Sequence, residues 1–592
     1  MSTTLAAMTL PELKEREVSV VSKGVRRSLV LGLVAVLLAA IAVVRIVSTY
    51  NVFSQTSDEP AHIATGMEWL QWGTYNFEPL HPPLARIAVA AGPYLSGLRL
   101  LDHRNLWIEG NELLLARGDY LRNLSLARAG VLPFFLLATF LVWHWARSRY
   151  GIRAAVVATF LFTTSPLVLA HAGVATTDMA ATATFTAALF TYIGFLERPT
   201  IGRATFFGVA AGLALLSKFS ALIFLPACCV TILLSRWLAI RRTKTNTLPQ
   251  KRIRPIAVAA AVIFLTVWMG YRCSLSSATK AAARPHYTID QMFGTSGSLH
   301  NAAYTVAEYP FIPAPAFFQG LAKLRFKESV GHKSYLLGEV RETGWWYFFP
   351  VALAIKSTIP FLVLGAVGIF YLVNFNGPPE ERWISLAPVV AAGTILLVCA
   401  PSHINIGVRH ILPIVPVLAI IGGLGASQLW CDARTRYAGP VVVLVLLSWQ
   451  VVSSVRSHPD YLAYFNEFAG SHPENILIGS DLDWGQDLLR LSAALQQRHI
   501  DRVSIAYAGS SHMDLTKFNL PPFKVLEPYK PVAGWVAISF LDLKVGDLGA
   551  PTNGFAWLEA YKPVALVGRS ILLYHIPESA DPQSVAKPTA TQ

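Results

Sequence analysis

The sequence predicts a polytopic α-helical membrane protein, with about eleven spanning helices, that ends in a small extracytoplasmic α/β domain. Three observations lead there. The chain is 53% hydrophobic and only 14% charged, with a mean hydropathy of +0.45, far more apolar than a soluble domain of ordinary composition. It contains repeated apolar runs of roughly 17 to 25 residues, each long enough to cross a bilayer at about 1.5 Å per residue. After about residue 456 those runs stop, and short alternating segments take over.

The predicted spans fall near 28–49, 126–146, 152–171, 179–196, 204–217, 219–237, 255–272, 350–373, 383–400, 410–429 and 439–455. The first is longer than a signal-peptide core and has no clear small-residue cleavage site, so it reads as a retained anchor behind a cytoplasmic segment, 1–27. Basic residues gather in short connections: Lys23, Arg26 and Arg27; Arg147, Arg149 and Arg153; Arg236, Arg241, Arg242, Lys244, Lys251, Arg252 and Arg254; Arg434 and Arg436. With that count they share one side, which predicts a cytoplasmic N-terminus and a multi-pass protein of the inner or plasma membrane. The formal net charge of +14 is therefore an orientation signal and implies no nucleic-acid partner. Five cysteines, four of them in or beside apolar runs, exclude a disulfide framework.

An odd number of spans places loops 50–125 and 273–349 and the tail outside the cytoplasm. The organisation expected is a membrane domain over 28–455, an α/β domain over 456–578 and a disordered tail over 579–592. Within the tail, ILIGSD (476–481), RVSIAYAG, GWVAIS and ALVGRSILLYHI read as strands, and WGQDLLRLSAALQQRH (484–499) reads as a helix.

Residues that could carry chemistry collect on the outer side. Asp58-Glu59-Pro60 follows the first span, and the bland reading is that one carboxylate caps a helix starting at Pro60. Capping leaves the second carboxylate unexplained, and an acid beside a bilayer is costly without a partner or a task such as general base. His81-Pro82-Pro83 fixes an extended entry to a segment too short to span, which predicts an interfacial helix and a site-shaping role. Asp178, at the mouth of the fourth span, reads singly as a helix cap. Lys218, Lys356 and the pair Arg409-His410 each read singly as snorkelling or terminal residues, and together as a phosphate-binding cluster. Asp481-x-Asp483 could hold a metal but equally caps the helix that follows. Gly208 and Gly212 suggest close helix packing.

Taken together, the Asp-Glu pair, HPPLA, TTDMAATA, LALLSKFSALIFLP, GHKSYLLGEVRETGWWYFFPVALAIKSTIP and VRHILPIVPVLAI resemble the phospholipid-carrier-dependent glycosyltransferases. These include the protein O-mannosyltransferases and the lipid A aminoarabinose transferase, enzymes of the C-type membrane glycosyltransferase (GT-C) fold. The resemblance implies an inverting transfer of a sugar from a polyprenyl-phosphate carrier to a protein, lipid or glycan acceptor. It implies catalytic roles for Asp58 and its partner Glu59, a second acidic site at Asp178, and phosphate contacts from Lys218, Arg409, His410 and Lys356. The aminoarabinose branch has Lys where this chain has His81. No cofactor is expected, and no residue pattern supports a divalent metal.

Two other classes fit the composition. A flippase of lipid-linked sugars would place its ionisable residues near the midplane of repeated halves, and no repeat is visible. A non-catalytic envelope protein would leave the loop motifs without a task.

Overall fold

The computed structural model describes residues 10–103, 105–241, 253–277, 289–290, 294–507, 509, 513–546 and 551–578, with side chains from Leu29 onward. The expected tail 579–592, the start of the N-terminal segment, and Arg242, Lys244, Lys251 and Arg252 lie outside the described residues.

The chain is an integral membrane protein built on long apolar helices. Among the described residues, eight helical stretches are long and apolar enough to cross a membrane, or nine if one bent pair is a single span. The count of about eleven is not confirmed, for three local reasons. The two spans expected over 126–171 fall largely on one helical stretch, Tyr120–Thr163, broken at Gly151, whose φ of 86° and ψ of 175° only glycine adopts freely. The span expected at 350–373 is two helices, Phe348–Lys356 and Ile359–Val373, bent by 115°. Ser357 and Thr358 between them are extended, and Pro360 opens the second helix without an N–H to join the first. The helix Ile201–Ser217 is apolar but, at 17 residues, shorter than the eight stretches that qualify. It packs as its glycines suggest: a Cβ on Gly208 would lie 2.7 Å from that of Val262, and one on Gly212 2.5 Å from that of Thr266.

Between Val47 and Leu132 the chain forms helices Glu59–Gln71, Pro83–Leu95, Leu106–Leu115 and Tyr120–Ala129. Small residues bring the first of these against their neighbours, because Gly66 touches Arg86 and Gly110 touches Pro60. Two short antiparallel strand pairs belong to the second large loop: β1 (Leu275–Ser276) with β2 (Ile312–Pro313), and β3 (Ser334–Leu336) with β4 (Glu339–Arg341).

The C-terminal part holds a five-stranded sheet of β5 (Val503–Ala506), β6 (Phe523–Val525), β7 (Gly534–Ser539), β8 (Ala565–Val567) and β9 (Ile571–Ile576), in the order β6-β5-β7-β9-β8. β5 runs parallel to β6 and β7, and β9 is antiparallel to β7 and β8. Leu488, Leu491 and Leu495 of helix Leu488–Gln497 bury one sheet face. Burying that apolar face on one helix stripe holds the layers together. Two expectations fail here. ILIGSD is not a strand but runs into a 3-10 turn at Gly479–Asp481. The helix starts four residues late because Gly485 has φ of 79°.

Candidate active site

Asp58 and Glu59 are neighbours in sequence and separate in space. Asp58 occupies the N-cap position of helix Glu59–Gln71, yet its side chain makes no capping bond. It pairs with Arg409 instead, Oδ2 to Nη1 at 2.7 Å, while 30% of the Asp58 side chain stays exposed. Burial would raise its pKa, but the Arg409 charge and hydrogen bond outweigh that and hold it below the usual carboxylate value. Glu59 is sealed: its Oε1 and Oε2 accept from Arg128 Nε and Nη2 at 2.8 and 2.9 Å. The N–H groups of Thr56 and Ala175 donate to the same carboxylate, both at 2.7 Å. Glu59 and Arg128 are 0% and 1% exposed.

Asp178 is the first residue of the helix Asp178–Glu197, behind an N-cap, Thr177, whose side chain makes no capping bond. Its Oδ1 accepts from Lys218 Nζ at 2.6 Å, and its Oδ2 lies 3.8 Å from Arg409 Nη1. Lys218 sits at the break between helices Ile201–Ser217 and Ala221–Arg241. One guanidinium therefore joins Asp58 to the Asp178–Lys218 pair, across four sequence-distant segments.

His81 lines the same cavity, with its ring 5.2 Å edge-on from His62. Pro82 and Pro83 start helix Pro83–Leu95 as its N-cap and first residue. The turn before them is pinned by Tyr75, whose hydroxyl donates to His81 O at 2.6 Å, and by the ion pair of buried Arg86 with half-buried Glu78. Burial, then Arg86, pushes both imidazoles down, that of His62 to about 3. Both are neutral at physiological pH. His410 is also neutral, first through burial and then through Lys218 and Arg409, so it offers an N–H and no charge.

Lys356 is placed elsewhere. Its ammonium donates to the carbonyls of Leu462 and Asp481 at 2.8 and 2.6 Å and does not line the cavity. The carboxylates of DLDWGQD are occupied by backbone donors: Asp481 by Val408 N–H, Asp483 by Leu541 N–H, and Asp487 by Arg569 N–H.

The cavity holds about 610 Å³ and is lined by Asp58, His81, Lys218, Arg409 and His410. Sequence reasoning missed three of its cations: Arg325 and Lys327 of helix Pro315–Val330, and Lys333 after it. Among the described residues none of the three pairs with a carboxylate, whereas Lys218 and Arg409 both do. The available signal is KLRFK (323–327), three cations in five residues. Phe219, Ile223, Phe224, Leu321 and Leu324 form an apolar wall. The C-terminal part supplies a mixed wall, through Ile478, Gly479, Ser480, Asp483 and Trp484.

No curated protein sequence matches the chain. Among solved structures it is similar to apo ArnT from Cupriavidus metallidurans, at 14% identity over 93% of this chain and 98% of that one, with a TM-score of 0.48. It is also similar to the Saccharomyces cerevisiae protein O-mannosyltransferase Pmt1–Pmt2 complex, at 12% identity over 72% and 90%, with a TM-score of 0.49. A third is AglB, the oligosaccharyltransferase of Archaeoglobus fulgidus, at 12% identity over 86% and 69%, with a TM-score of 0.46. Residues 126–277 match the dolichyl-phosphate-mannose-protein mannosyltransferase family. That match bears out, for this stretch of the chain, the resemblance to carrier-lipid-dependent glycosyltransferases that its motifs carry.

Proposed function

We propose that this protein transfers a sugar from a polyprenyl-phosphate carrier to a protein, lipid or glycan acceptor on the extracytoplasmic face, with inversion at the anomeric carbon. The N-terminus is then cytoplasmic and the C-terminal α/β part extracytoplasmic. The observation that carries the reading is the half-open carboxylate of Asp58, in a cavity that also holds an apolar wall and cations with no carboxylate partner among the described residues.

Each part of that cavity has a task in a single displacement. Asp58 Oδ1 has no donor among the described residues and is free to accept the proton of an acceptor hydroxyl or amine. The acceptor atom bonds to the anomeric carbon as the carbon–oxygen bond to phosphate breaks, and the lipid phosphate leaves with the electron pair. That leaving group is stable as an anion and needs cations more than a proton. Lys218 and Arg409 are already partly neutralised by Asp178 and Asp58, so Arg325, Lys327 and Lys333 are better placed in charge to receive it. His410 adds an uncharged N–H, and His81 shapes the wall. With one carboxylate and no covalent intermediate, the product is inverted.

Glu59 and Lys356 fall outside this scheme. Their saturated partners fit a structural role, Glu59 fixing the loop that bears Asp58 and Lys356 fixing the segment after Leu462.

A deletion strain should lose one class of surface glycan or glycolipid and accumulate the corresponding polyprenyl-phosphate sugar, read by mass spectrometry of envelope extracts. Unchanged glycans together with an unchanged lipid-linked sugar pool would remove the reading.

A further inference from the structure

The segment 478–488 lies between the two loops that carry Asp58 and Arg409, and it is bonded to both. On one side, Ser54 N–H donates to Gln486 O at 3.0 Å and Ser57 N–H to Trp484 O at 3.0 Å. Leu488 N–H donates to Ser54 Oγ at 3.1 Å. On the other side, the Asp481 carboxylate accepts from Val408 N–H at 3.1 Å, and Ser480 Oγ donates to Ile406 O. Gly407 leaves room for this contact: with φ of 140°, it would place a Cβ 2.2 Å from Ser480 Oγ.

Trp484 contacts Arg409 of the Asp58–Arg409 pair and the residue that precedes Asp58. Its carbonyl holds the residue before Asp58, and its indole faces the guanidinium, whose Cζ is 4.2 Å from the ring centroid. Trp484 is 5% exposed, so the cation–π contact is largely desolvated and strong for its kind. Arg409 needs such a restraint. Its Nε has no hydrogen-bond partner among the described residues, and its Nη1 stands between the carboxylates of Asp58 and Asp178.

We propose that Trp484 is a positioning residue of the transfer reaction, clamping Arg409 onto Asp58, and that the C-terminal part is thereby a structural component of the active site. The proposal rests on the glycosyl-transfer reading above. Trp484 need not touch donor or acceptor. It keeps the guanidinium from sliding to Asp178, so that one oxygen of Asp58 is fixed and the other is aimed at the acceptor.

The test uses the full-length protein in lipid vesicles. The donor probe is the pool of polyprenyl-phosphate sugars labelled metabolically and extracted from the producing cells. Removing a desolvated cation–π contact, in Trp484→Leu, should lower kcat roughly 10- to 30-fold. The donor KM, and the affinity for undecaprenyl phosphate alone, should change less than about threefold, because neither depends on the clamp. Trp484→Phe keeps a ring face and should recover most of the rate. The acid limb of the pH profile should move to higher pH in Trp484→Leu, since Arg409 no longer holds the Asp58 carboxyl down. The other groups facing that site are His62 and Lys327 toward Asp58, Asp178 and Asp481 toward Arg409, and His171 against the indole. In an Arg409→Gln background, Trp484→Leu should cost no further rate, whereas additive losses would overturn the proposal. A Trp484→Leu protein that melts early, with the same kcat loss in Trp484→Phe and an unmoved acid limb, marks Trp484 as core packing only and also overturns it. The parent protein and Asp58→Asn separate the two readings. If the parent moves no label from the lipid-linked sugar the transfer reading fails, and if Asp58→Asn is dead while Trp484→Leu is unaffected, only the clamp fails.

Discussion

Two arginine–carboxylate pairs, built from adjacent acids, divide the Asp58–Glu59 region into a sealed half and an open half. Glu59 and Arg128 meet in a bidentate fork, with two backbone N–H groups filling the remaining lone pairs and both side chains buried. Asp58 and Arg409 meet through one oxygen and one nitrogen at a cavity wall. The first pair has satisfied its bonding capacity and has nothing left for a ligand. The second keeps an oxygen for one. The same residue types serve architecture when saturated, and offer chemistry when a cavity leaves them half-satisfied.

The largest effect expected from breaking this contrast is at Asp58. Asp58→Asn should fold and melt like the parent while losing on the order of 10³-fold or more in sugar transfer, as expected for removal of a general base. Normal turnover by that variant would put the base elsewhere. At Glu59 the expectation reverses. Glu59→Gln leaves the Arg128 charge buried without its partner, a loss of roughly 3–5 kcal/mol. The readout is the yield and melting temperature of the purified protein. A well-folded but inactive Glu59→Gln protein would collapse the distinction between the two pairs.

A smaller effect sharpens the cation side. Lys327→Met should weaken binding of undecaprenyl phosphate roughly tenfold, the scale of one charge-assisted contact. Lys356→Met should leave that affinity unchanged and instead lower thermal stability, because its carbonyl partners would be left unsatisfied. Equal affinity losses for the two variants, in a vesicle binding assay, would return Lys356 to the phosphate site.

The smallest expected effect is on pH dependence, and it also divides by region. Asp58 is held below the usual carboxylate value, so turnover should persist as pH falls through 5 and fail only below the ordinary carboxylate range. Asp483, at the junction with the C-terminal part, is pushed up to about 7, first by burial and only partly offset by backbone donors. A carboxyl whose folded pKa is raised binds its proton more tightly in the folded state. Stability from this group is therefore full below about pH 4 and is lost as pH rises toward 7. Melting temperatures measured from pH 5 to pH 8 should fall in the parent, with less slope in Asp483→Asn.

Much of the fold was legible in the residues because bilayer burial writes itself as long apolar runs. The strands β7 and β9 were legible because strand periodicity is local. Where spans break was less legible, since the turn at Gly151 and the bend before Pro360 interrupt apolar runs without interrupting their apolarity. For the site, Asp58, Asp178, Lys218 and Arg409 could be named one by one from charges beside predicted spans. Their grouping in one charged cluster could be expected only from side and order.

The sequence by itself determined that this is a membrane protein with acids and bases concentrated in particular loops, because hydropathy and charge are properties of each residue alone. Only the tertiary structure decided that Asp58 faces the cavity while Glu59 turns to Arg128, that Lys356 serves two carbonyls, and that Trp484 lies on Arg409. Those outcomes depend on which atoms from distant segments reach hydrogen-bonding distance. One step along a helix start turns a side chain by about 100°, and that step separates an acid open to a ligand from one locked into the fold.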